Sequence, residues 1–261
     1  MSAQSLTPAV PPRSEPTGRV VLVTGASRGI GLAAAREFAA RGDRVVLAAR
    51  SEPALLEAVD SIRAAGGQAW CFAADLGEPD QCDEVVRFVE REVGPVDIAV
   101  LGAGVGHWTP TVDMADDAWR ETQRINVDGV FLLTRSALKS MIARGSGHLV
   151  FISSVMAERG VPNMSAYTAS KAAVASFAKS VAVEVKPLGV RVTVLYPGTT
   201  ATTMREHQHG RPLTPDITEA ELQLSAEDVA ESVVWSTTRS ERAQVSGLYL
   251  EPRGAAARGG R

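Results

Sequence analysis

Tyr167 and Lys171 lie four positions apart in a stretch of helical character, so both side chains leave one face of that helix. An ammonium beside a phenol has a definite chemical use. A free tyrosine titrates at about 10 and a neighbouring cation favours the phenolate by about 1 to 3 units, which would bring the hydroxyl towards general acid or base work at neutral pH. Such a group can give a proton to a carbonyl oxygen. A surface tyrosine beside a solvated lysine is the plainer reading of the pair alone. Ser154 adds weight: it lies thirteen residues before Tyr167 and closes an apolar strand, at the carboxyl end where open α/β sheets bind ligands.

A second chemical stretch, VVLVTGASRGIG, occupies residues 20–31. Four apolar, mostly β-branched residues read as a buried parallel strand, and Gly25, Gly29 and Gly31 follow it. Glycine permits sharp turns and close approach of backbone to a ligand, and the helix opening beyond it offers unsatisfied N–H groups to an anion. The implied ligand is a nucleotide pyrophosphate, held by Gly25, Ser27, Arg28, Gly29, Ile30 and Gly31. A glycine turn that merely links strand to helix is the alternative. At the end of the second strand an acid bonds the ribose hydroxyls of NAD, whereas a cation accommodates the 2′-phosphate of NADP. Here Ala49 stands where the acid would be, Arg50 follows it and Arg28 lies in the glycine loop, with no competing carboxylate in view. Forked guanidinium hydrogen bonds suit a phosphate, so the cofactor expected is NADP(H).

These residues need a scaffold, and the rest of the chain reads as strand and helix in alternation. Strands are expected at 20–23, 44–49, 68–73, 96–101, 147–153, 190–195 and 247–250. Helices are expected at 30–41, 51–65 with Ser51 as cap, 78–93, 116–143, 163–186 and 226–237. Right-handed crossovers then give an α/β fold: a single Rossmann-type, doubly wound parallel sheet of about seven strands with helices on both faces. Residues 1–18, with four prolines, read as a flexible arm, 19–252 as the dinucleotide-binding and catalytic domain, and 253–261 as a flexible tail. The polar segment 199–219 reads as a substrate lid. Within it His207 and His209 form either a weak metal pair or a solvated loop, and no metal is expected. Asp75, past the third strand, is either a ligand contact or a solvated turn residue. Asn126 lies inside a helical pattern, where asparagine is intrinsically unfavourable.

Composition removes whole classes of function. A net charge of −3 provides no basic field for nucleic acid. No apolar run approaches the roughly 18 residues of a membrane span, and no export signal opens the chain. Cys71 and Cys82 lack metal-ligand spacing and read as reduced, buried thiols of a cytoplasmic protein.

The set Thr24-Gly25-x-x-x-Gly29-x-Gly31, Asn126, Ser154, Tyr167-x-x-x-Lys171 and Pro197-Gly198 resembles the short-chain dehydrogenase/reductase family, over about residues 19–250. The resemblance implies carbonyl and alcohol interconversion, as in 3-oxoacyl-thioester reductases. Tyr167 would be the proton donor and acceptor, Ser154 would hold the substrate oxygen, and Lys171 would grip the nicotinamide ribose and tune Tyr167. Asn126 would hold a proton-relay water. Asp75 would meet the adenine, Gly102, Ala103 and Gly104 would line the cofactor, Thr202 would contact its nicotinamide end, and Leu76, Pro197 and Gly198 would also bind the cofactor. A homo-oligomer, tetramer or dimer, would pair through the helices at 116–143 and 163–186.

Two departures stand out. The family usually has Asn-Asn-Ala-Gly after strand four and this chain has Leu101-Gly102-Ala103-Gly104, which predicts a loop short of side-chain support. The ending GLYLEPRG lacks the usual glycine pair, which bears on oligomer contacts there. No extra C-terminal domain of the sugar-nucleotide epimerase kind is expected, which argues against epimerisation. A nucleotide-sensing regulator on the same fold and an NAD(H)-dependent alcohol or sugar dehydrogenase are the competing readings.

Overall fold

A strand that is apolar at successive positions has no face to give to water and must be covered on both sides. The structure, a computed structural model, describes residues 18–202, 223–240 and 242–253, and shows this arrangement for the five inner strands, while the two edge strands are partly exposed. Seven parallel strands, β1 Val20–Thr24, β2 Arg44–Ala49, β3 Gln68–Ala73, β4 Ile98–Leu101, β5 Gly147–Ile152, β6 Val190–Pro197 and β7 Gly247–Leu250, form one sheet in the order β3-β2-β1-β4-β5-β6-β7. Along β1 the side chains alternate between two cores. Val20 and Leu22 join the layer of α3 Pro79–Glu92, α5 Gly129–Arg144 and α6 Ser165–Val185, while Val21 and Val23 join that of α1 Gly29–Ala40, α2 Glu52–Ala64 and α7 Ala226–Thr237. Each fully buried valine or leucine contributes roughly 1.5–3 kcal/mol. The chain leaves β3 at one edge and returns beside β1 as β4, so the loops after β1 and β4 part company and open a crevice at their carboxyl ends.

Residues 1–17, 203–222, 241 and 254–261 lie outside the described residues. Most of the expected arm, lid and tail fall there, together with His207 and His209.

The long helix expected at 116–143 is divided into α4 Asp116–Gln123, a π-helical turn Arg124–Asp128, and α5. A Cβ at Gly129 would lie 2.1 Å from the Leu76 carbonyl oxygen, so glycine lets this helix press against the loop after β3. Ser51 stands at the N-cap of α2 but its side chain makes no cap bond, contrary to expectation. A cap side chain accepts from the second or third helical N–H: Pro53 in the second position has none, and the bond from Ala54 N–H in the third is not made. The cysteines also differ from expectation, for Cys82 is buried and Cys71 only partly so.

His148 on β5 is buried, with Nε2 2.8 Å from Thr193 Oγ1 and Nδ1 lacking a hydrogen-bond partner. Burial, with the charges of Arg191 and Arg19, pushes its pKa down from 6.5 to about 3. The unfolded chain therefore binds this proton first: its stabilisation is complete above 6.5 and is lost as pH falls towards 3. The slope amounts to about 1.4 kcal/mol per pH unit. Urea unfolding at pH 7 and pH 5 should show His148→Gln losing less stability than the unsubstituted protein over that interval. Equal losses in the two proteins would contradict the assignment.

Candidate active site

The carboxyl ends of β1, β2, β4, β5 and β6 border one cleft of about 640 Å³. On one wall the chain turns after Thr24 through Gly25, φ +68°, and Gly29, φ +56°, both in the left-handed region that favours glycine. A Cβ at Gly25 would meet Ala103 Cα at 2.9 Å, and one at Gly31 would meet the Gly25 carbonyl oxygen at 2.5 Å. Two loops and a helix start are thus packed to backbone contact, forming a cradle that side chains would fill. Arg28 caps α1 with no side-chain cap bond, and the first turn carries no acid. Those opening amides suit an anion, as expected of a pyrophosphate site.

The opposite wall carries the acid–base residues. Ser154 ends the β5 run at the start of a short turn, where its Oγ accepts from Met156 N at 3.1 Å and contacts the Pro197 carbonyl at 3.4 Å. Tyr167 and Lys171 project from α6, with the Lys171 Nζ 5.6 Å from the Tyr167 ring centroid. Lys171 is 4% exposed and donates to the Ile152 carbonyl at 2.8 Å. Burial pushes its pKa down to about 8. The Tyr167 phenol moves opposite to the sequence expectation. Burial raises it to about 12, and a hydrogen bond with Ser154 lowers it only in part. The expectation weighed the neighbouring charge without the loss of water around both groups.

Gly102, Ala103 and Gly104 line the cleft, as do all the other expected site residues except Asn126. The loop they form does not lack support. Thr24 Oγ1 accepts from Gly102 N at 3.0 Å and Ala103 N at 3.2 Å. Asn126, fully buried in the π-helical turn, accepts from Val105 N at 2.8 Å and donates to Val105 O at 2.9 Å and Ser170 Oγ at 3.0 Å. Its amide therefore joins the β4 loop to α6, and a Cβ at Gly104 would lie 3.2 Å from Asn126 Oδ1 and 3.6 Å from Lys171 Nζ.

At the far end Asp75 Oδ2 accepts from Arg124 at 3.0 Å and Oδ1 accepts from Gly77 N at 3.0 Å. Burial would raise its pKa, but these bonds and the Arg124 charge outweigh it and hold the carboxyl below its ordinary value. Leu76 lies beside it, and across the cleft Pro197, Gly198 and Thr202 form part of the lining. Arg28 and Arg50 share this lining with Ser27 and Ile30. The expectation of no competing carboxylate does not hold. Glu121, from α4, lies 3.9 Å from Arg50 Nη1 and is hydrogen-bonded to His107 Nε2 at 3.1 Å. Sequence reasoning had no signal for Glu121, a polar position of an amphipathic helix, nor for Met156 and Met164, which also line the cleft. Among the described residues no helix is long and apolar enough to cross a membrane.

The short chain dehydrogenase family model matches residues 19–211. A short chain dehydrogenase of Pseudocercospora fijiensis is 42% identical over 196 residues, 73% of this chain and 63% of that protein. The chain thus spans less than two thirds of that relative's length. The 3-oxoacyl-[acyl-carrier-protein] reductase of Synechocystis is 37% identical over 198 residues, 76% of this chain and 80% of the reductase. Among solved structures, actinorhodin polyketide ketoreductase with NADPH superposes with a TM-score of 0.84 at 31% identity, covering 90% of this chain and 96% of the ketoreductase.

Proposed function

The chain belongs to the short chain dehydrogenase family, oxidoreductases that use a nicotinamide cofactor, and we propose that it reduces a ketone or aldehyde to an alcohol with NADPH and runs the reverse with NADP⁺. One observation carries this reading: Ser154, Tyr167 and Lys171 face the same cleft as the glycine cradle. A nucleotide sensor would need the cradle alone.

The residues fit a dinucleotide. Gly25, Ser27, Arg28, Gly29, Ile30 and Gly31 would hold its pyrophosphate, Asp75 and Leu76 its adenine, and Lys171, Pro197, Gly198 and Thr202 its nicotinamide end. When bound, the cofactor supplies or takes the hydride. Ser154 holds the substrate oxygen by a hydrogen bond, and Tyr167 gives its phenolic proton to that oxygen as negative charge develops there. Burial that keeps Tyr167 protonated far above pH 7 puts it in the state needed for reduction. Lys171, protonated below about 8, places a positive charge beside the phenolate left behind. Asn126 fixes Val105, and through Ser170 it fixes the turn of α6 between Tyr167 and Lys171.

The name of the Synechocystis relative supports a 3-oxoacyl thioester as substrate, and hydroxy acids and sugars are the other class to be tried. NADPH absorbance followed against ketones, aldehydes, 3-oxoacyl thioesters and sugars tests the reaction. Tight NADPH binding with turnover on none of them would favour the sensor.

Arg28 and Arg50 support NADP(H) over NAD(H), as do the NADP-bound structural relatives. Arg50→Ala should weaken NADPH by about tenfold through the loss of a charge-assisted hydrogen bond at an exposed position. NADH should be almost unaffected. A protein that prefers NADH, or a variant that loses both equally, would overturn the NADP reading.

Phe131 and Ile142 on α5 and Val183 on α6 are exposed apolar residues, which supports assembly through these helices into a dimer or tetramer. Light scattering should give a multiple of the 27.5 kDa chain at micromolar concentration, and monomer mass alone would refute it.

A further inference from the structure

The charged groups at the adenosine end of the cleft form two sets, each with its own short contacts, that feel one another through space: Arg50 helps to lower the pKa of the Asp75 carboxyl, and Glu121 helps to raise that of Arg124. Asp75 is engaged by Arg124, which also pairs with Glu78 at 2.9 Å. Arg50, Glu121 and His107 form the second set, built from three elements: the end of β2, helix α4 and the loop after β4. At 3.9 Å the Arg50–Glu121 contact is too long for a hydrogen bond, so the attraction is between charges alone. The shorter bond of Glu121, 3.1 Å, goes to His107. Arg50 is therefore under the influence of a carboxylate without having its N–H fork committed to it.

We infer that Glu121 is a specificity-determining residue of this cleft: its carboxylate shares the Arg50 guanidinium with the 2′-phosphate of the cofactor and so limits the preference for NADPH over NADH. The inference rests on the reading of Arg50 as the phosphate-binding cation. A phosphate that meets Arg50 lies close to Glu121, because the two side chains are neighbours along one wall of the cleft. Two costs follow for NADPH: the guanidinium divides its attraction between two anions, and the phosphate and carboxylate repel each other. A ribose hydroxyl has no charge and incurs neither. The carboxylate thus takes a position in space near the adenosine that the missing acid at the end of β2 leaves open, and it acts on the cation rather than on the ribose.

The test is a set of dissociation constants for NADPH and NADH, measured by fluorescence titration on the full chain and on Glu121→Gln, Arg50→Ala and the double variant. Glu121→Gln keeps the shape and removes the charge at a partly exposed position. It should tighten NADPH by about threefold to tenfold and leave NADH within twofold. The gain should vanish in the Arg50→Ala background, since the carboxylate acts through that guanidinium. Unchanged NADPH affinity in Glu121→Gln, or an equal gain with Arg50 removed, would overturn this inference and leave the Arg50 reading standing. Weaker NADH binding in Glu121→Gln would also overturn it, by making the carboxylate an acceptor for ribose hydroxyls. If Arg50→Ala itself leaves the ratio of the two constants unchanged, both readings fall.

Discussion

Tyr167→Phe should lower carbonyl reduction by about 10²- to 10⁴-fold, the usual contribution of a positioned general acid. NADPH binding should remain within a small factor of the unsubstituted protein. The substitution removes one oxygen and keeps the ring that packs near Lys171, so the cradle on the opposite wall is untouched. The phenol stays protonated to about 12, so the pH profile of reduction between 6 and 9 should carry no titration of Tyr167 itself. A decline in that range should instead follow the loss of the Lys171 proton near 8. Single-turnover rates, which isolate the chemical step from product release, are the proper measurement. Near-normal single-turnover reduction by Tyr167→Phe would mean that another group delivers the proton.

The elements that hold this site were legible because their physics is local. A parallel strand covered on both faces is apolar at successive positions, and β2, buried from Val45 to Ala49, begins and ends where the reading puts it; the partly exposed edge strands β3 and β7 match their expected bounds as well. Ser154 was found because it ends such a strand. The π-helical turn was not legible, since one extra residue in a turn hardly disturbs an apolar pattern, and the approach of Gly129 to Leu76, far away in the chain, is a tertiary contact. Asn126 was marked as an unfavourable residue inside a helix. Its partners, Val105 and Ser170, are fixed only by tertiary structure. The same holds for the Tyr167 phenol, where the sequence displays the neighbouring cation and hides the burial that decides the direction of the shift. Glu121 is the sharpest case: its place on α4 is local, and its meeting with Arg50 is not.

The glycine cradle makes the most stringent prediction about binding, because Gly31 is required for a reason different from its neighbours. Gly25 and Gly29 have left-handed backbone, whereas Gly31 lies inside α1 and any residue could adopt its conformation. What excludes a side chain there is distance. An added Cβ would lie 2.5 Å from the Gly25 carbonyl oxygen, 2.8 Å from its carbon and 3.0 Å from Ala26 Cα, all backbone atoms that no rotamer change can move. Gly31→Ala must push the 25–26 turn away from the start of α1. Relieving such a clash costs about 1–3 kcal/mol or more, and binding a pyrophosphate requires the displaced turn to return. NADPH and NADH should therefore both weaken by about a hundredfold, in contrast to the selective effect of Arg50→Ala. Gly160→Ala is the matched control, since nothing lies within 4 Å of a Cβ at that position. Thermal unfolding checks that Gly31→Ala is folded at the titration temperature. Dissociation constants within threefold of the unsubstituted protein would show that the cofactor's phosphates do not rest on this turn.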